Sequence, residues 1–244
     1  MDSHAEGDGT IASGYASHAE GGGTTASGNQ SHAEGEGSTE ALTVTIDDEE
    51  KTLQAGAYGV ADHVEGKNTI ANSNYAGEED TQYAAHAEGF ETLALAQGAH
   101  AEGDSSQALG LNSHAEGEYT IASGIGAHAE GSETQALRDG AHAEGAGTTA
   151  SGSYSHAEGV DTTASGPYAH AEGNTTTASA VNTHAEGDTT TASKAGAHAE
   201  GDNTTASGES SHAEGHNTNA TGDKSHAEGS GTTAGGEDSH AEGY

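Results

Sequence analysis

Cysteine and tryptophan are absent from this 244-residue chain, and proline and phenylalanine occur once each, at Pro167 and Phe90. Without cysteine there is no disulfide framework, no thiolate metal site and no cysteine nucleophile. Basic residues are nearly missing too. Five Lys and Arg stand against 40 Asp and Glu, for a formal charge of −35. This predicts no nucleic-acid partner, since binding phosphates needs a positive surface. No run of 18 apolar residues occurs, which predicts no membrane insertion. Hydrophobic residues make up 30% and aromatics 4%, and most of the apolar share is alanine, so a Leu/Ile/Phe core cannot be built. Gly-x-Ser-x-Gly, His-Glu-x-x-His and phosphate-binding glycine loops are missing, so the chain reads as a non-enzyme. Met1-Asp2-Ser3 shows no charged-then-apolar leader. The expected route out of a cell is release by lysis or as part of a particle, giving a virion or cell-surface location.

What the chain does have is one pentapeptide, Ser-His-Ala-Glu-Gly, first at Ser3–Gly7 and last at Ser239–Gly243. From His86 to His240 the histidine recurs every 14 residues. A register that strict is a structural period. Low hydrophobicity with high charge also describes disordered chains, but disorder needs no register. Glycine at every seventh position, not every third, excludes collagen. It also disfavours a heptad coiled coil, which lacks any Leu/Ile seam here.

The copy Ser155–Tyr168 divides into two aligned halves, Ser155-x-Ala157-x-Gly159 and Thr162-x-Ala164-x-Gly166. Alternation of two is a strand pattern. Each half is expected to be a five-residue strand followed by a two-residue turn, with Ser/Thr, Ala and Gly inward. The small inward set lets two strands lie almost back to back, one coil per 14 residues, and coils stack in parallel at about 4.8 Å. Sixteen such copies would give a rod of about 75 Å, stabilised by contacts between neighbouring coils. The whole chain, 1–244, is expected to be one repeat domain. Two insertions interrupt the register. One, about 36–54, alternates around an acidic turn, Asp47–Glu50, and predicts a β-hairpin over Ala41–Leu53. The other, about 74–84, reads as a loop around Gly77–Thr81. Both are candidate contact points for a host receptor.

His and Glu occupy the outward positions of the first strand and never vary, even in the divergent copy Asp62-His63-Val64-Glu65-Gly66. The outward pair of the second strand drifts: Leu93/Leu95, Gln107/Leu109, Thr163/Ser165, Asn219/Thr221. A face merely in water would not hold two residue types through sixteen copies, so the fixed face is read as an interface with another copy of this chain. The ladder comprises His86 and Glu88, His142 and Glu144, His156 and Glu158, His170 and Glu172, His184 and Glu186, His198 and Glu200, His212 and Glu214, and His226 and Glu228. Stacked glutamates repel, and partly charged histidines would relieve them, loosening assembly as pH rises. Cofactors are expected to be none. The alternative for the ladder is a divalent metal, with His100, Glu102, His114, Glu116, His128 and Glu130 as candidate ligands, since His and Glu two apart on a strand can converge on one ion. His216, outside the ladder, reads as an exposed turn residue. The Thr-Thr-Ala-Ser copies of the second face would array hydroxyls on a flat grid, an ice-binding alternative.

The doubled pattern small-x-Ala-x-Gly-x-x resembles the left-handed parallel β-roll of trimeric autotransporter adhesin heads, whose strand reads Ser-Val-Ala-Ile-Gly. His156 and Glu158 stand where that family has Val and Ile. The wording Ser-His-Ala-Glu-Gly…Thr-Thr-Ala-Ser-Gly is similar to repeats of phage tail fibres and neck appendages. The resemblance implies an all-β, left-handed parallel β-roll, a β-solenoid of 14-residue coils with two short strands. It further implies an intertwined or side-by-side homotrimer serving as a rigid shaft or head. The other reading is a filament of coils stacked end to end, because both ends stop inside the repeat.

Overall fold

A computed structural model describes residues 2–37, 42–46, 49–73 and 84–244. They form an all-β parallel solenoid of 14-residue coils with two strands per coil. Two compact units, Met1–Gly126 and Ala127–Tyr244, share this construction. In the second unit, long strands such as His156–Val160 pair in parallel with the next coil, His156 on His170, Ala157 on Ala171, Glu158 on Glu172. The first unit repeats the pattern, with His100 on His114 and Glu102 on Glu116. In-register pairing of successive coils places the repeated His, Ala, Glu and Gly each on its own kind.

The two halves of a coil are not equal strands. The second holds strand pairing for two residues only, as in Thr163–Ala164 beside Thr177–Ala178, where the sequence pattern predicts five. The glycines explain the difference. Gly159 sits at φ +114, a region open only to glycine, and pairing runs through it to Val160. A Cβ there would lie 2.0 Å from the Gly173 carbonyl oxygen. At Gly166 the chain instead turns, closed by the Ala169 amide donating to the Gly166 carbonyl at 3.1 Å.

The interior is made of methyls and hydroxyls. Ala157, Ala164 and Thr162 are 0% exposed and Ser155 is 1%. Serine at the coil start bolts the turn: Ser155 Oγ donates to the Gly152 carbonyl at 2.7 Å and Ser31 Oγ to Gly28 at 2.7 Å. Where alanine replaces it, as at Ala99, the backbone bond to Ala96 remains at 3.1 Å. Hydrogen bonding continues round the corners. Asp161 and Tyr168 adopt left-handed φ values of 52° and 58°, each at a cost of about 1–2 kcal/mol. Their amides donate to Ala146 and Ser153 of the preceding coil at 2.9 Å, which offsets about 1 kcal/mol apiece.

The expected hairpin is present: Leu42–Ile46 and Glu49–Leu53 pair antiparallel, Leu42 with Leu53 and Ile46 with Glu49. The end of that hairpin changes the second face of the first unit. Ile70, Leu93 and Leu95 point away from the roll yet are 1%, 1% and 2% exposed, packed with Leu53, Tyr58 and Leu109. The drift toward leucine at these outward positions is thus a second small core, not a loosely constrained surface. The expected loop at Gly77–Thr81 lies outside the described residues, as do Ala41 and Asp47–Asp48 of the hairpin insertion. Its flanks are held by Asp62, which replaces the usual coil-start serine and is fully buried.

Candidate functional site

A strand sends residues i and i+2 to the same side, so each long strand carries its His and Glu outward together. In-register stacking then converts single pairs into continuous rows. Within each unit, imidazole centroids of neighbouring coils lie 4.6 Å apart at His184 and His198 and 4.7 Å apart at His198 and His212, the latter pair only 6° from parallel. The tilt between His142 and His156 is 57°.

At the rungs named here the imidazole lies near the glutamate of its own strand. Nε2 to Oε2 is 3.9 Å for His86–Glu88, 3.8 Å for His142–Glu144, 3.5 Å for His156–Glu158 and 3.4 Å for His170–Glu172. It is 3.5 Å for His184–Glu186, 3.9 Å for His198–Glu200, 3.8 Å for His212–Glu214 and 3.3 Å for His226–Glu228. The metal candidates have the same geometry: 3.9 Å for His100–Glu102, 3.5 Å for His114–Glu116 and 3.6 Å for His128–Glu130. Charge-assisted hydrogen bonds are shorter, about 2.7–2.9 Å. His170 and Glu172 come within hydrogen-bond geometry. Elsewhere, Nε2 of His86, His100, His156, His184, His198, His212 and His226 is shielded from solvent and makes no hydrogen bond within the chain.

Stacking also sets the charge. At His32, His86, His142 and His198 the pKa lies below the ordinary imidazole value. Burial is the largest cause, followed by the stacked rings on either side. The nearby carboxylates, such as Glu88 and Glu65 beside His86, pull the other way and do not prevail. These four rungs favour neutral imidazole, opposite to the charged histidines expected as relief for the glutamate row. Like rings 4.8 Å apart repel one another when protonated.

Three ligand atoms converge across rungs at Glu228, His240 and Glu242, all within 4.8 Å of one another. His216 is not in a turn. It ends the strand His212–His216, with Nε2 3.5 Å from Asp202 Oδ2. Residue-by-residue reading of one coil also passes over the corner pair Tyr154 and Tyr168, whose rings stack 5.6 Å apart. Their spacing of 14 was the available signal. A cavity of about 10 Å³ lies beside Thr24, Gly56 and Thr69, room for no more than a single water.

Comparison with protein families returns the YadA head domain repeat, matching residues 5–28, 19–39, 101–127, 115–133, 157–179 and 199–225. The matches fall in both units; the match at 19–39 runs into the start of the first insertion, and none reaches the second. No curated protein matches the chain.

Proposed function

We propose that this chain, which is built of YadA head domain repeats, is a rigid trimeric fibre element, the shaft or head of a surface adhesin or phage tail fibre. The repeat is an adhesin-type structural one, typical of non-enzymatic proteins at cell surfaces. One observation carries the trimeric reading. The His/Glu row holds two residue types on every long strand, half-exposed in a single chain, while the opposite face varies along the chain or is covered by Leu53 and Tyr58. A half-buried row of identical side chains suits a partner with the same period, and another copy of the chain has that period by construction. Nε2 atoms such as those of His156 and His184 would find acceptors on the facing copy. The two insertions that interrupt the 14-residue register, at about 36–54 and 74–84, are the places where a host receptor would be recognised.

Light scattering of the purified chain tests the assembly. A single species of three chains is expected, and the triple variant Glu144→Ala, Glu158→Ala, Glu172→Ala is expected to fall to lower mass with its circular dichroism unchanged. A monomeric parent protein overturns the reading, as does a variant that assembles like the parent. Polymers that grow with concentration would instead favour end-to-end filaments.

A further inference from the structure

We propose that the second face of the unit Ala127–Tyr244 binds ice, through a two-column grid of hydroxyls between Thr149 and Ser207. Five successive coils present the same outward pair there: Thr149/Ser151, Thr163/Ser165, Thr177/Ser179, Thr191/Ser193 and Thr205/Ser207. The residues that alternate with them, such as Thr162 and Ala164, are fully buried, so each pair is turned to the solvent side. In-register pairing sets Thr149 on Thr163, Thr163 on Thr177, Thr177 on Thr191 and Thr191 on Thr205. The backbone fixes both columns. The amides of Thr163 and Ser165 donate to the carbonyls of Thr176 and Ala178 at 2.9 Å, and those of Thr177 and Ser179 to Thr190 and Ala192 at 2.9 and 3.0 Å. Branching at Cβ restricts each threonine at χ1, so little side-chain freedom is lost when a ligand orders the hydroxyls.

Spacing and charge identify the occupant. These coils repeat at 4.9, 4.7 and 4.6 Å, the separations of the stacked rings from His156 to His198. Along one strand, outward positions two apart are separated by about 6.6–6.8 Å. Tetrahedral water, bonded at the usual O–H···O distance of about 2.7–2.8 Å, repeats at about 4.5 Å between second neighbours and about 7.3 Å across its layers. The grids thus differ by about 0.2–0.3 Å per coil, which sums to about 1 Å from Thr149 to Thr205. That is about a quarter of one lattice repeat, so the five threonines stay in step with a single row of ice oxygens. Along the strand the mismatch of about 0.6 Å is met once, because each coil offers only two outward positions. The chain holds 40 acidic residues, yet none of them occupies this grid. Asp161 and Lys194 lie at the bends on either side. A charged ligand needs a surface of opposite sign, and an apolar partner needs a broad apolar patch. An uncharged lattice of water needs only ordered hydroxyls at its own spacing. In the other unit the corresponding positions Ile70, Leu93 and Leu95 are taken up by the small core. The grid lies on the opposite side of the coil from the His/Glu row, so it does not depend on the trimer.

The test is thermal hysteresis and inhibition of ice recrystallisation by the purified full-length chain, with albumin at equal mass concentration as the colligative control. The parent protein is expected to open a gap between melting and growth of a seeded ice crystal that albumin does not. Thr177→Lys, which sets a charged side chain at the centre of the grid, is expected to lose most of that gap. Thr189→Lys, on a bend outside the grid, is expected to keep it. Circular dichroism checks that both variants retain the fold, and Thr191→Lys takes the place of Thr177→Lys if that variant does not fold. A parent protein no more active than albumin overturns the proposal. So does full activity in folded Thr177→Lys. Light scattering of the same samples reports assembly separately: a change of mass in Thr177→Lys would make this face a contact between copies and overturn the proposal as well. Hysteresis from a monomeric parent would leave the ice-binding face standing and defeat only the trimer.

Discussion

The carboxylate of Asp62 accepts the backbone N–H of Ala85, 23 residues further along the chain, at 2.8 Å through Oδ1. Its other oxygen accepts the amides of Gly59 at 2.6 Å and Ser73 at 3.0 Å. One buried side chain thus ties together the turn before it, the residue where the coil breaks off, and the residue where the solenoid resumes after the insertion at 74–84. Serine, the usual occupant, carries a hydroxyl that reaches only the residue three back, donating to its carbonyl as Ser31 does with Gly28 and, at Ser211, also accepting the Gly208 amide.

Asp62→Ala should therefore destabilise the protein by about 3 kcal/mol or more, since three buried amides lose their acceptor at about 1–3 kcal/mol each. Asp62→Ser should recover part of the loss. Thermal unfolding of the three proteins measures this. Equal melting temperatures for parent and Asp62→Ala would mean that the flanks of the insertion are held by something else.

Gly159→Ala should be far more damaging than Gly22→Ala, although both glycines lie in long strands. The added methyl at 159 would meet the Gly173 carbonyl oxygen at 2.0 Å with φ at +114, whereas at 22 it meets nothing within 4 Å. The first is expected to cost about 3 kcal/mol or more, in line with backbone strain plus overpacking. The second should stay within about 0.5 kcal/mol. Chemical denaturation midpoints distinguish them.

Leu93→Ala should cost about 2–4 kcal/mol, the usual range for a buried leucine, because Leu93 is 1% exposed within the cluster of Ile70 and Leu95. Thr163→Ala, at the equivalent outward position of the second unit, should change stability by about 0.5 kcal/mol or less. Similar losses at both sites would show that the cluster under Leu53 and Tyr58 adds nothing to the roll.

Acidification should weaken the fold. His32, His86, His142 and His198 have folded pKa values below the ordinary 6.5. Between the folded value and 6.5 the unfolded chain binds more protons, so stability is complete above 6.5 and declines as pH falls through that window. The melting temperature is expected to drop from about pH 7.5 to about pH 5.5. Replacing the four histidines by glutamine should flatten that slope. A melting temperature that rose on acidification would restore the charged-histidine picture.

The period and the residue types determined much of this protein in one dimension. Fourteen residues between histidines impose the coil, the small residues at alternate positions make its interior, and the alternation around Asp47–Glu50 marks the hairpin whose strands are Leu42–Ile46 and Glu49–Leu53. These features depend on neighbours close in sequence, or on one coil meeting a copy of itself. The outward placement of His and Glu followed for the same reason. Three things were decided only in three dimensions. Strand lengths became unequal because Gly159 and Gly166 adopt different backbone conformations in chemically similar halves. Leu93 and Leu95 became core because a hairpin ending 40 residues earlier along the chain, at Leu53, lies against their cluster. The ladder histidines at four rungs became poor bases because stacking at about 4.8 Å sums burial and ring–ring repulsion. Each of these outcomes depends on distances between parts of the chain that one repeat, read alone, does not contain.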